Sequence, residues 1–174
     1  MANIEDYVTA IEDFPKPGII FRDITTVIGS PEGLRLSVDG MVERLEGVDF
    51  DVVVGSESRG FIFGTPVAYE MGKGFVLARK KGKLPRETIS EEYDLEYGTA
   101  TLEMHTDSIR PGQKVVIIDD LIATGGTVEA MIRMIERLGG EVVKILFVIE
   151  LAGLKGRERL EGYDVESLIT YEGA

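Results

Sequence analysis

Apolar residues along this chain alternate between short continuous runs and longer stretches with helical spacing. Residues 51 to 54, 75 to 78, 115 to 118 and 142 to 149 are dominated by apolar, largely β-branched side chains. They predict strands buried on both faces, as in a parallel sheet. Residues 99 to 104 alternate enough to add a strand, and residues 165 to 171 a shorter last one. Between these runs the period changes. Ser30-Pro31 opens a helix to about Leu45, with Ser at the N-cap, Pro at the first helical position and Leu34, Val38, Met41, Val42 and Leu45 inward. A second helix follows the turn at Ser56 to Gly60 and stops at Gly72; a third runs from Thr127 to Leu138 and closes on Gly139-Gly140. At the N-terminus Asn3 caps a helix through about Asp13, with Ile4, Val8 and Ile11 on one face. Pro15, Pro17 and Gly18 break it and lead into an extended segment at Ile19 to Phe21. Residues 80 to 98 show neither period, which predicts a binding loop or lid. Strands alternating with helices give an α/β fold: a mostly parallel twisted sheet flanked by helices. No repeat or linker divides the 174 residues, so one domain is expected.

Charge narrows the possible partners. A net charge of −12 argues against non-specific nucleic-acid binding, which depends on Lys and Arg at phosphates. Yet Arg79, Lys80, Lys81, Lys83 and Arg86 fall within eight positions at the start of the aperiodic segment, a basic patch in an acidic chain. No apolar run reaches the roughly 20 residues that span a bilayer, and the acidic N-terminus lacks a signal-peptide pattern. Without cysteine there are no disulfides or thiolate metal sites, and a cytoplasmic location is the default expectation.

The chemistry concentrates at VVIIDDLIATGGT, residues 115 to 127. Asp119 and Asp120 fall where a buried strand ends, and a glycine-rich turn (Ala123, Thr124, Gly125, Gly126, Thr127) then opens a helix. Ligands of open α/β sheets bind beyond strand carboxyl ends. Backbone N–H groups at a helix start suit a phosphate, while paired carboxylates suit sugar hydroxyls or a hydrated divalent cation beside it. A phosphorylated sugar is implied. The spacing is neither a P-loop nor a dinucleotide fingerprint. Ser56-Glu57-Ser58-Arg59-Gly60 also follows a strand end, and Arg59 offers a donor fork that fits a phosphate.

The Asp-Asp…Thr-Gly-Gly-Thr stretch resembles the phosphoribosyl-pyrophosphate (PRPP) loop of type I phosphoribosyltransferases. Five further segments resemble one branch of them, the adenine phosphoribosyltransferases: DFPKPGIIFRDIT (residues 13 to 25), SRGFIFG (58 to 64), RKKGKLP (79 to 85) with YDLEYG (93 to 98), and LKGRERL (154 to 160). The resemblance implies that adenine and PRPP give AMP and pyrophosphate through an oxocarbenium-like transition state, in purine salvage. It implies a small purine hood over about residues 1 to 30 and a flexible catalytic loop over about 80 to 98. It also implies a non-proline cis peptide at Glu57–Ser58, Mg²⁺ carried in by PRPP with no metal fixed by the protein alone, and a homodimer.

Residue roles follow from the same resemblance. Ala123 to Thr127 would grip the 5′-phosphate, and Asp119 and Asp120 the ribose. Ser58, Arg59, Arg79 and Lys83 would take pyrophosphate. Main-chain groups of Ile20 and Arg22 would read adenine between Phe21 and Leu121. Glu96 would act as acid/base, with Tyr97 touching substrate. Read without the resemblance, Phe21 is a core phenylalanine and Glu96 a solvated charge. Glu57 receives no role beyond the loop backbone, and His105, the single histidine, none in catalysis. Two alternatives stand beside this reading: a phosphoribosyltransferase for a 6-oxopurine (hypoxanthine, guanine or xanthine), and a non-catalytic PRPP-binding regulator. A 6-oxopurine enzyme needs a side-chain donor beside the base, where this chain offers Leu121 and Ile122. A regulator normally adds a basic nucleic-acid-binding module.

Overall fold

The computed structural model describes residues 1–95 and 97–173. Its centre is a seven-stranded sheet built from β3 (Val52–Ser56), β4 (Gly74–Lys80), β5 (Thr88–Asp94), β6 (Thr99–His105), β7 (Lys114–Ile122), β8 (Glu141–Leu151) and β9 (Val165–Tyr171), in the order β5-β6-β4-β3-β7-β8-β9. The run from β4 through β9 is parallel. β6 joins β4 antiparallel and β5 pairs antiparallel along all of β6, making a mixed edge.

Alternation along the central strands divides the core in two. Val52, Val54, Val115, Ile117, Ile145 and Phe147 face α4 (Gly126–Arg137), which buries Val128, Met131, Ile132 and Ile135. Val53, Val116, Ile118, Leu146 and Val148 face α2 (Pro31–Leu45) and α3 (Arg59–Glu70). Helix α2 starts as its sequence dictates: the Ser30 hydroxyl accepts the Gly33 N–H at 3.2 Å, and Pro31 occupies the first helical position.

Two expectations are corrected. The N-terminal helix is only the 3₁₀ turn Ile4–Tyr7; the chain then extends as β1 (Thr9–Ile11), antiparallel to β2 (Phe21–Asp23). The cause is tertiary. The Thr26 hydroxyl, in the single turn α1 (Thr25–Ile28), accepts the Thr9 N–H at 3.1 Å and donates to the Tyr7 carbonyl at 2.6 Å, pulling residues 7 to 9 out of helical register. The segment 80 to 98, expected to lack structure, contains β5. An edge strand keeps polar residues on both faces, so Glu91, Glu92 and Asp94 mask its period. The Arg137 guanidinium, at the end of α4, fixes it by donating to the Ser90 carbonyl and the Glu91 carboxylate, both at 2.9 Å.

Candidate active site

The strand order reverses at β3: its chain successor β4 lies on one side and β7 on the other. Beyond the carboxyl ends of these strands a cleft of about 470 Å³ opens, the place where sheet topology leaves room for a ligand. Its wall brings together Ser56, Glu57, Ser58 and Arg59 after β3, Lys80 at the end of β4, and Asp119 to Val128 from β7 into α4. Segments from three separate parts of the sequence thus form one site.

Asp119 and Asp120 are each 6% exposed. Asp119 is held on both oxygens: the Ser56 hydroxyl donates to Oδ2 at 2.8 Å and the Asp120 N–H to Oδ1 at 2.9 Å. Burial, and then the adjacent Asp120 carboxylate, push Asp119 well above the usual carboxylate range, against the pull of those two donors. Asp120 instead pairs with Arg59, Nε to Oδ2 at 2.8 Å, and that guanidinium remains half exposed at the start of α3. The Glu57–Ser58 peptide just before it is cis.

Next to the carboxylates, Gly125 takes φ +86° and leads directly into α4. This left-handed conformation costs glycine little. It turns the Ala123–Thr127 backbone around a point where the first N–H groups of α4 have no partner in their own helix. The result is an anion cradle beside two carboxylates. Tyr93 of β5 and Leu102 of β6 close one flank of the cleft; neither was anticipated as lining.

Other expected site residues lie outside this wall. Leu121 lines the cleft, but Ile20, Phe21 and Arg22 belong to the β1–β2 hairpin. Phe21 is 36% exposed and packs edge-on to Phe14, with centroids 5.3 Å apart, so it is not a core residue. The Arg22 guanidinium rests 3.9 Å over the Tyr171 ring. Asp23 links hairpin and cleft: two hydrogen bonds from Thr25 hold its carboxyl below the usual range, with a smaller pull from the Arg59 charge. Arg79 is paired through Nη2 with Glu57 Oε2 at 3.2 Å. Lys83 and Tyr97 are exposed away from the wall, and Glu96 lies outside the described residues. His105 ends β6, where its Nε2 accepts the Arg86 N–H at 3.3 Å.

Glu57 carries more than the sequence suggested. Its Oε1 accepts the Lys80 N–H at 2.6 Å while Oε2 holds Arg79. Burial pushes its pKa up, but those donors and charges bring it below the ordinary value. Glu103 pins the far side of the basic turn in the same way, accepting the Gly82 N–H at 2.8 Å and the Thr88 hydroxyl at 2.6 Å. Both contacts join residues about twenty apart, so no local motif signals them.

The cleft offers hard oxygen ligands from Asp119 and Asp120 that fit Mg²⁺ with substrate oxygens and water. Among the described residues, no group of three or more His, Cys, Asp or Glu is placed to hold a metal.

The phosphoribosyl transferase domain family matches residues 42–172. An adenine phosphoribosyltransferase of Lachnoclostridium phytofermentans is 64% identical over 173 residues, 99% of each chain. The crystal structure of the Thermoanaerobacter pseudethanolicus adenine phosphoribosyltransferase superposes with a TM-score of 0.92 at 50% identity, covering 97% of this chain and 98% of its own. The Saccharomyces cerevisiae enzyme, complexed with adenine and an imino-altritol bisphosphate, gives 0.90 at 37% identity over 95% and 96%. With full-length relatives and a matching fold, this chain belongs to the phosphoribosyl transferase domain family, among the adenine phosphoribosyltransferases.

Proposed function

We infer that this enzyme transfers the 5-phosphoribosyl group of PRPP to adenine, giving AMP and pyrophosphate. The observation that carries the inference is the pairing of two buried carboxylates with a glycine-opened helix start in one cleft. The bond from C1′ to the pyrophosphate oxygen breaks, the leaving group takes the electron pair, and N9 of adenine attacks the opposite face of the ribosyl cation. The N9 proton is lost as the glycosidic bond forms. Protein catalysis here is positioning and charge stabilisation.

The residues divide that work. Ala123 to Thr127 bind the 5′-phosphate through backbone N–H groups. Asp119 and Asp120 hold the ribose hydroxyls and favour positive charge at C1′. Ser58, Arg59, Arg79 and Lys83 receive pyrophosphate. The hairpin residues Ile20, Phe21 and Arg22, with Leu121, form the adenine pocket of a hood spanning about residues 1 to 30. Backbone recognition favours adenine, because a carbonyl that accepts from its 6-amino group faces another acceptor in a 6-oxopurine. Glu96 manages the purine proton and Tyr97 contacts substrate when the segment 80 to 98 closes and excludes water. Asp119 and Asp120 would lie beside a Mg²⁺ carried in by PRPP and held mainly by substrate oxygens and water, which would supply charge neutralisation for the pyrophosphate. The working unit is a homodimer, supported by apolar side chains that α3 and β4 leave exposed: Ile62, Tyr69 and Leu77. No helix of the described residues is long and apolar enough to cross a membrane, and we place the enzyme in the cytoplasm.

The test is Mg²⁺-dependent nucleotide formation from PRPP with adenine, hypoxanthine, guanine and xanthine offered separately. AMP alone is expected. IMP, GMP or XMP would overturn the base pocket, and no product with any base would overturn the activity.

A further inference from the structure

The phosphate loop rests on a second piece of backbone. A Cβ placed on Gly125 would lie 2.8 Å from the Gly156 carbonyl oxygen, and one placed on Gly156 would lie 2.5 Å from the Ala123 carbonyl oxygen. Neither residue has room for a side chain, so the Gly156–Leu160 turn is the floor of the Ala123–Thr127 loop. What holds this turn lies further back. Arg157 donates through Nε to Glu150 Oε1 and through Nη1 to the Val165 carbonyl, each at 2.7 Å. The other Glu150 oxygen accepts the Ser167 hydroxyl at 2.9 Å. Glu150 is 6% exposed on β8 and stands in register with Ile122, the residue just before the loop. Burial would push its pKa up, and the Arg157 and Ser167 contacts more than reverse that.

We propose that the Glu150–Arg157 pair positions the 5′-phosphate site, by fixing the Gly156 turn on which the phosphate loop is seated. Neither side chain lines the cleft, so both act through Gly156 and are positioning residues. The inference rests on the phosphoribosyl-transfer reading. Its consequence is selective: a displaced floor loosens N–H groups aimed at the 5′-phosphate but leaves in place the pyrophosphate residues, Ser58 and Arg59 at the start of α3 and Arg79 and Lys83 at and just after the end of β4.

The experiment compares Arg157→Met, Arg157→Lys and Glu150→Gln with the unaltered enzyme, using ribose 5-phosphate and pyrophosphate as separate competitive inhibitors. A small misplacement of a binding group can cost up to about 100-fold. For Arg157→Met we expect KM for PRPP and the ribose 5-phosphate inhibition constant to rise about tenfold, with kcat, KM for adenine and the pyrophosphate constant within about twofold. Glu150→Gln should show the same selectivity, and Arg157→Lys, which keeps the charge opposite Glu150, should recover part of the loss. Equal weakening of both inhibitors, or unchanged ribose 5-phosphate affinity in Arg157→Met and Glu150→Gln, would overturn the positioning role. Failure of the unaltered enzyme to make AMP would strike the functional reading instead, so the two failures are distinguishable.

Discussion

At Asp119, burial and chemistry pull in opposite directions. Its raised pKa means that ionisation in the folded state works against stability: the stability that the protonated group contributes is present below the unfolded value and is lost as pH rises through the folded value. Asp119→Asn removes the cost while deleting the proposed ribose contact. We expect kcat/KM to fall about 100-fold or more with a melting temperature no lower than that of the unaltered enzyme, a stability–activity trade-off that thermal unfolding beside kinetics will read. The same shift sets the acid limb of the pH profile. The proposed ribose contact requires the carboxylate, so kcat/KM for PRPP should begin to fall with decreasing pH above the ordinary carboxylate region of about 4. A limb confined to that region would contradict the role. The identities of Asp119, Asp120 and the Thr-Gly-Gly-Thr turn were legible because they are contiguous and follow a strand. Ser56, which holds Asp119 from 63 residues away, was not, since only the β3–β7 pairing brings the two strand ends together. Glu57 shows the same limit: its neighbours mark a turn, while its partners come from the end of β4.

Among the elements, the regular ones obeyed local rules and the hairpins did not. Helix α2 has its cap, its proline and its inward face written in consecutive residues, and Ser30→Ala should cost about 1 kcal/mol of stability in denaturant unfolding without changing either KM. The β1–β2 hairpin is different. Ile4, Val8 and Ile11 suit a helix face as well as an extended chain, and the decision lies with Thr26, whose hydroxyl bridges residues 7 and 9. Thr26→Val keeps the shape and removes the bridge. If the hairpin serves only the base, as proposed, this change should raise KM for adenine several-fold, with KM for PRPP held within about twofold. Equal changes in both would place the hairpin's role elsewhere. β5 was hidden for another reason: its edge position lets charges occupy positions that a central strand would give to apolar residues.

The molecule as a whole was legible in class but not in order. Apolar runs separated by helical stretches specify a parallel α/β sheet, yet nothing local says that β7 returns to the far side of β3, and that reversal creates the cleft. Assembly belongs to this scale too. Sedimentation should give about twice the 19.1 kDa chain mass, and replacing Tyr69 and Leu77 with charged residues should shift it toward the monomer. Then there is the matter of how a body of net charge −12 takes up a polyanion. Two arginines expected to meet pyrophosphate are already paired within the protein, Arg59 with Asp120 and Arg79 with Glu57. The protein therefore carries its own counter-ions at these positions, and pyrophosphate uptake is an exchange of one anionic partner for another rather than capture by bare cations. Few small ions need leave for the bulk, so affinity should respond only weakly to added salt.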